Sequence, residues 1–276
     1  MIFYQIFFGP YCKDKYDEAE NLIEDYLSSL LRNGQIVKNY GITPWKGEIV
    51  AYVYAQGFDA NRLKYHSQWG KERMQRIKCF FGQTPIWKCN EDFPTKIKTT
   101  WKDAPFLFFV TDFLEPNYLT PLVRGDNGRG IPLYRVPITD MERDYTSSWL
   151  WQYKAFDAVW ISSGELEIQA YRILAEPDSE CSKRGREICL AIEKATGVPT
   201  YFYLKRYYGR NGDEEKKRLC PCCGKSWFVK RLEKKDGEST PFWEFDFQCK
   251  KCRLVSHFAP DVNLRYAKIG EPRKEK

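Results

Sequence analysis

Two pairs of closely spaced cysteines near the C-terminal end constrain this chain more than any other feature. Cys220 and Cys223 stand in "RLCPCCGKSW", and Cys249 and Cys252 stand in "FQCKKCRLVSH". Zinc binds four soft ligands at tetrahedral corners, and a tight Cys-x-x-Cys turn directs two thiolates at one ion. We therefore predict one structural zinc ion held by these four cysteines. Four thiolates close the coordination sphere, so we expect no open position for substrate.

The segment between the two turns predicts a small antiparallel hairpin. Its return arm alternates the aromatic residues Trp243, Phe245 and Phe247 with the acidic residues Glu244 and Asp246, and "KKDGES" supplies a turn. Two Cys-x-x-Cys turns that flank a hairpin are the layout of a zinc ribbon.

Cys222 and His257 are the other metal-binding side chains near the four cysteines. Cys222 lies inside the first turn, where two consecutive residues cannot easily direct both sulfurs at one ion, so we predict that it is not a ligand. A reactive or redox pair of Cys222 with Cys223 is the alternative, and it would leave the second turn unexplained. His257 is a possible substitute ligand, although a core or surface histidine is the simpler interpretation.

The remainder of the chain alternates patterns typical of strands and helices, which predicts an α+β body with a mixed or antiparallel sheet. We divide the chain into this body, residues 1–209, and a basic zinc-ribbon domain and tail, residues 210–276, joined by the charged hinge "RNGDEEKKR". The clearest predicted strands are residues 2–8, 48–56, 104–114 and 200–209, a hairpin is predicted within 120–138, and the helices are 16–34, 60–80, 139–164, 165–175 and 179–197.

Positive charge is concentrated in the last quarter of the chain. Residues 205–276 carry 19 Lys+Arg against 11 Asp+Glu, whereas residues 1–204 carry 25 against 26. Cations mixed with aromatic rings are typical of surfaces that bind phosphates and unpaired bases, although a solvated surface gives the same count. The predicted nucleic-acid-binding residues are Lys205, Arg210, Lys225, Trp227, Lys230, Arg231, Lys250, Lys251 and Arg253.

The composition favours a cytoplasmic protein. No apolar run approaches the roughly 18 to 20 residues of a membrane-spanning helix, and the apolar opening "MIFYQIFFGPYC" has no basic leader or cleavage site. We therefore expect no membrane partner. In a cytoplasm the ten cysteines are expected to be thiols or metal ligands.

Enzymatic motifs are scarce, which favours a noncatalytic protein. The chain has two histidines, His66 and His257, so a catalytic triad in the body would need His66 as its base. We expect binding to RNA or single-stranded DNA. One alternative is a protein-binding adaptor or immunity-type module, and another is a hydrolase or nuclease that uses carboxylates of the N-terminal body.

A resemblance to a known family supports the zinc assignment. "GREICLAIEKATGVPTYFYLKRYYGR", "RLCPCCGKSW" and "FDFQCKKCRLVS" resemble the C-terminal half of a bacterial family of unknown function that is described as zinc-ribbon-containing and possibly nucleic-acid-binding. The resemblance covers roughly residues 179–257. It implies that Cys220, Cys223, Cys249 and Cys252 are the zinc ligands.

Overall fold

The computed structural model describes residues 2–37, 40–89, 99–110, 120–162, 164–230, 241–260 and 262–272. The chain forms two compact units. The first comprises Met1–Thr100 and Ile131–Ser148, and the second comprises Trp101–Gly130 and Trp149–Lys276. Both contain helices and strands, so the α+β class is confirmed.

The first unit contains an antiparallel four-stranded sheet with two helices. Its strands form hydrogen bonds in the order β2-β3-β1-β4. This β-α-β-β-α-β arrangement is that of ferredoxin-like domains. The elements in chain order are β1 (Ile2–Pro10), α1 (Tyr16–Arg32), β2 (Gly41–Trp45), β3 (Glu48–Ala55), α2 (Gln68–Phe81) and β4 (Ile86–Cys89).

One face of this sheet packs on both helices. Ile6 and Phe8 of β1 lie in a single core with Ile23 and Leu27 of α1 and Ile77 of α2. Successive strand residues point to opposite faces, so this core uses every second residue of β1 and β3.

The second predicted helix begins later than the sequence pattern indicates. Ser67 accepts a hydrogen bond from the N–H of Gly70, which caps α2 at its N-terminus, and residues 63–65 form a short 3-10 helix instead. Gly70 therefore lies in the first turn of α2.

The second unit contains a mixed sheet in the order β7-β6-β5-β8-β10-β9, apart from Ile131 of β7, which is assigned to the first unit. Strand β8 is parallel to both of its neighbours, β5 and β10, whereas β5 with β6 and β10 with β9 are antiparallel. The strands are β5 (Leu107–Phe109), β6 (Leu122–Arg124), β7 (Gly130–Ile131), β8 (Thr200–Tyr203), β9 (Phe247–Cys249) and β10 (Leu254–Ser256).

Two of the helices in this region, α3 (Asp140–Ser162) and α5 (Glu180–Thr196), contact the sheet. Helix α3 contributes residues to both units, and the other helices are α4 (Glu167–Ala175) and the short α6 (Gly212–Lys216). A Cβ atom on Gly185 of α5 would lie 2.4 Å from the ring of Phe202 on β8. A glycine is thus required at this contact because α5 packs directly on that ring.

The charged segment predicted as a hinge is ordered by buried ion pairs. It contains α6, whose Glu215 accepts two hydrogen bonds from Arg206, at 2.6 and 3.2 Å. The Nε atom of Arg218 lies 2.9 Å from the same carboxylate. All three side chains are almost fully buried. The segment is therefore part of the second unit.

The predicted division at residue 209 falls inside the second unit. Strand β8 precedes this position and β10 follows it, yet the two pair in parallel, with Leu254 opposite Phe202. Parallel pairing of strands about fifty residues apart leaves no local signal in a sequence. The segment 210–276 thus completes a sheet that the preceding residues begin.

Within the described ranges, no helix is long and apolar enough to span a bilayer.

Candidate metal centre

Four cysteine sulfurs converge at the end of β9. The Sγ atoms of Cys220, Cys223, Cys249 and Cys252 all lie within 4.8 Å of one another, and those of Cys223 and Cys249 are 3.8 Å apart. A tetrahedral zinc ion with Zn–S bonds of about 2.3 Å would set neighbouring sulfurs about 3.8 Å apart. The four side chains are therefore placed so that they can hold one metal ion.

Local backbone geometry brings each pair of sulfurs together. Gly224, with φ of +66°, donates its N–H to the carbonyl of Cys220, which closes the first turn. The second turn ends on Arg253, with φ of +51°, and the N–H of Cys252 points at the sulfur of Cys249 from 3.4 Å. Both turns thus end on a left-handed residue, for which glycine is the least strained choice.

Backbone pairing and aromatic packing hold the two turns together. Gln248 donates to the carbonyl of Trp227, and Val229 donates to that of Asp246, so the arms after the first turn and before the second are antiparallel. The rings of Trp227 and Phe247 lie 5.2 Å apart between centroids. This pairing confirms the outer parts of the predicted hairpin, while its predicted turn lies outside the described residues.

The environment sets different proton affinities for these thiols. Burial raises the pKa of the Cys220 thiol to about 12, whereas the backbone N–H of Lys225 is the main group that lowers the pKa of the Cys223 thiol to about 7. A coordinated cation deprotonates its thiol ligands outright. The four cysteines Cys220, Cys223, Cys249 and Cys252, called the tetrad below, can therefore all be thiolates when a metal ion is bound.

The two other candidate ligands lie outside the cluster. Cys222 is exposed, and Arg186 donates to its sulfur from 3.4 Å. The ring of His257 packs against Phe242 and Phe245, and its Nδ1 is 3.1 Å from the hydroxyl of Tyr203. Neither side chain is part of the tetrad.

Four of the predicted nucleic-acid-binding residues are exposed cations close in sequence to the cysteines. Lys225 follows the first turn, Lys250 and Lys251 lie within the second, and Lys230 follows in the first arm. None of these lysines pairs with a carboxylate in the part of the chain that the structure describes. Their charges are therefore available to an anionic partner.

Four others are buried or neutralised. Trp227 is only 2% exposed and cannot stack on a base in this conformation. Lys205 is buried, with its ammonium 3.4 Å from Asp157 and over the ring of Trp160. Arg210 and Arg253 pair with carboxylates, of Glu271 and Glu193 respectively, at 2.6 and 2.7 Å. Arg231 lies outside the described residues.

A cleft with a small excess of cations lies beside the first turn and has no signal in the sequence. Pro221 and Cys222 line a cleft of about 820 Å³ in the second unit. Five cations line it against three carboxylates, Glu176, Asp178 and Glu271. Of the cations, Arg186, Arg265 and Lys268 pair with no carboxylate within the described ranges. These cations come from separate segments of the chain, so only the tertiary structure brings them to one cleft.

His66, the only histidine of the body, is a structural residue. It is buried, and its Nδ1–H donates to the carbonyl of Arg62 while its Nε2 accepts from the hydroxyl of Tyr26. Both ring nitrogens are thus used within the core.

Three family models match successive stretches of the chain, and each is described as a domain of unknown function: DUF8589 at residues 1–91, DUF2310 at 102–205 and DUF8594 at 209–262. Two relatives from Haemophilus influenzae, both described as uncharacterized proteins, are each 34% identical over 142 residues. The match covers 51% of this chain, 66% of one relative and 51% of the other. No solved structure matches the chain.

Proposed function

We propose that this protein binds single-stranded nucleic acid through a basic module that a structural zinc ion stabilises. The observation that carries the proposal is a set of four exposed lysines in or after the cysteine turns, none of which pairs with a carboxylate among the described residues: Lys225, Lys230, Lys250 and Lys251. Lysines without a carboxylate partner attract phosphates, and contact with a phosphate backbone releases bound counterions. The cations of the adjacent cleft, Arg186, Arg265 and Lys268, extend this basic surface.

Zinc is the metal that suits the ligand set. Four thiolates in a tetrahedral arrangement select zinc or an iron–sulfur centre, and two Cys-x-x-Cys turns around a hairpin are typical of structural zinc. The resemblance of residues 179–257 to a bacterial zinc-ribbon family points the same way. The four cysteines would hold the ion, and its role is to fix the two turns.

A charge reversal tests the proposed surface. We expect Lys250→Glu combined with Lys251→Glu to weaken binding of a 12-nucleotide single strand, and to make the log-log salt slope shallower by about 1.4, because two phosphate contacts are lost. Fluorescence anisotropy at several salt concentrations measures both quantities. Both side chains are exposed, so the zinc content and melting temperature should stay unchanged.

The chain supplies a matched control for this experiment. Lys216 and Lys217 are another adjacent pair of exposed lysines, and they lie outside the cysteine turns. Lys216→Glu with Lys217→Glu makes the same change in net charge, so it should weaken binding far less. Equal losses in both double variants would show a general charge effect and contradict the proposed surface. If the wild-type protein does not bind nucleic acid but copurifies with one protein in a fixed ratio, the result would favour the protein-binding adaptor.

A further inference from the structure

The four-stranded sheet of the first unit has a second face, opposite the helices. Along β1, Phe3, Gln5 and Phe7 alternate with the core residues Ile2, Tyr4, Ile6 and Phe8. The same alternation along β3 places Tyr52 and Tyr54 on the face away from the core. The outward positions of the four strands are Phe3, Gln5, Phe7, Pro10, Gly41, Thr43, Trp45, Glu48, Val50, Tyr52, Tyr54, Ile86 and Lys88.

Three aromatic rings form a contiguous group on this face. Phe3 pairs across the strands with Tyr54, and their ring centroids are 5.4 Å apart. The ring of Tyr52 lies nearly parallel to that of Phe3, with an interplanar angle of 14° and 6.0 Å between centroids. Tyr54 is 43% exposed, and Trp45 on the neighbouring strand β2 is 45% exposed. Phe3 and Tyr52 are partly exposed, whereas Phe7 and Val50 on the same face are buried. A cluster of exposed and partly exposed rings is typical of a binding surface.

Positive charge accompanies the rings on this face. The ammonium of Lys88 lies 4.2 Å from the ring centroid of Phe7, and that of Lys46, in the β2–β3 turn, lies 4.5 Å from that of Trp45. Glu48 is the one carboxylate among the outward positions of β1 to β4. The face thus combines flat apolar rings with a small excess of cations, which complements bases joined by phosphates.

From this arrangement we infer that the outer face of the first sheet stacks unpaired bases of a single strand on Phe3, Tyr52 and Tyr54. A four-stranded antiparallel sheet with aromatic residues on its two central strands is a known physical solution for holding two or three bases. Here β1 and β3 are the central strands and carry all three rings. Paired bases present no open ring face, so the platform would select single strands over duplexes.

The inference takes its ligand class from the proposed function but uses other residues in the other unit. Tyr54→Ala and Phe3→Ala should each raise the Kd for a 12-nucleotide single strand by about 5- to 150-fold, since one stacking contact is lost. Tyr54→Phe keeps the ring and should restore binding. Tyr145→Ala removes an exposed ring on α3 in the same unit and should leave the Kd unchanged. RNA and DNA strands of the same sequence show which sugar is preferred.

Crosslinking of the wild-type protein supplies a readout that no folding defect can disturb. Ultraviolet irradiation of the complex with oligouridine or oligothymidine, followed by mass spectrometry, should place crosslinked nucleotides on the peptides that contain Phe3 or Tyr52 and Tyr54.

Each outcome decides between the two surfaces. If Lys250→Glu with Lys251→Glu weakens binding while the ring variants and the crosslinks show nothing at the sheet, the platform is wrong and the basic module stands. If the ring variants lose affinity and the lysine variants do not, the sheet is the main site. A wild-type protein that binds neither strand overturns both proposals.

Discussion

At the scale of single residues, the adjacent cysteines Cys222 and Cys223 have opposite roles. The sulfur of Cys223 lies in the tetrad, whereas that of Cys222 faces Arg186. We therefore expect Cys223→Ser to lose bound zinc and Cys222→Ser to keep one zinc ion per chain. Elemental analysis of the two purified variants measures this. Zinc retained in Cys223→Ser but lost in Cys222→Ser would mean that the other sulfur is the ligand.

His66 makes the stability of the first unit depend on pH. Burial lowers the pKa of His66 below its ordinary value of 6.5, and the charge of Lys71 acts in the same direction. The unfolded chain therefore binds a proton more readily than the folded one, so this contribution to stability is complete above pH 6.5 and is lost as pH falls below it. The wild-type melting temperature should drop between pH 7.5 and 5.5 by more than that of His66→Gln. Equal drops in the two proteins would show that His66 does not titrate on unfolding.

The sequence predicts single residues well only where their partners are local. The cysteine turns depend on spacings of three residues and a hairpin, so the tetrad could be identified from the chain alone. Pairing of cations is different, because the partner of Arg253 is Glu193, sixty residues earlier, and that of Lys205 is Asp157. A count of charges along the sequence treats Arg253 and Lys205 as equivalent to Lys250, although in the folded chain each of the two pairs with a carboxylate.

At the scale of elements, the short helix α6 stabilises the second unit through one carboxylate. Glu215→Gln should lower the free energy of unfolding by about 3 kcal/mol, because Arg206 and Arg218 would stay buried without that counter-charge. Glu214→Gln is the matched control, since it changes an exposed carboxylate of the same helix. Urea denaturation gives both values, and equal stability of the two variants would refute the role of Glu215.

Elements with strong local signals were predicted correctly, and those that depend on distant partners were not. Helix α5 is predicted over 179–197; Ser179 caps its N-terminus by accepting from the backbone N–H of Ser182, and the helix ends at Gly197 with φ of +73°. In contrast, the charged segment around α6 has the composition of a hinge, and only the burial of Glu215 shows that it is fixed. The ferredoxin-like order of the first unit likewise depends on strand pairing, which the sequence does not specify.

At the scale of the whole molecule, the candidate metal centre belongs to the second unit's sheet. The tetrad brings the first cysteine turn to the end of β9 and to the turn before β10. Strand β10 in turn pairs with β8. Removal of the metal by a chelator should therefore speed hydrogen exchange in β8, β9 and β10, while β1 and β3 of the first unit stay protected by their own core. Hydrogen exchange with mass spectrometry resolves these peptides. Equal loss of protection in both sheets would show that the units do not unfold separately.

The salt dependence of binding by the wild-type, zinc-loaded protein tests the central claim most directly. The measurement is the Kd for a 12-nucleotide single strand, by fluorescence anisotropy, across a series of salt concentrations. If Lys225, Lys230, Lys250 and Lys251 each neutralise one phosphate, the affinity should fall with salt at a log-log slope of about −2.8. A Kd that does not change with salt, or no binding at micromolar protein, would contradict the claim that this module binds nucleic acid.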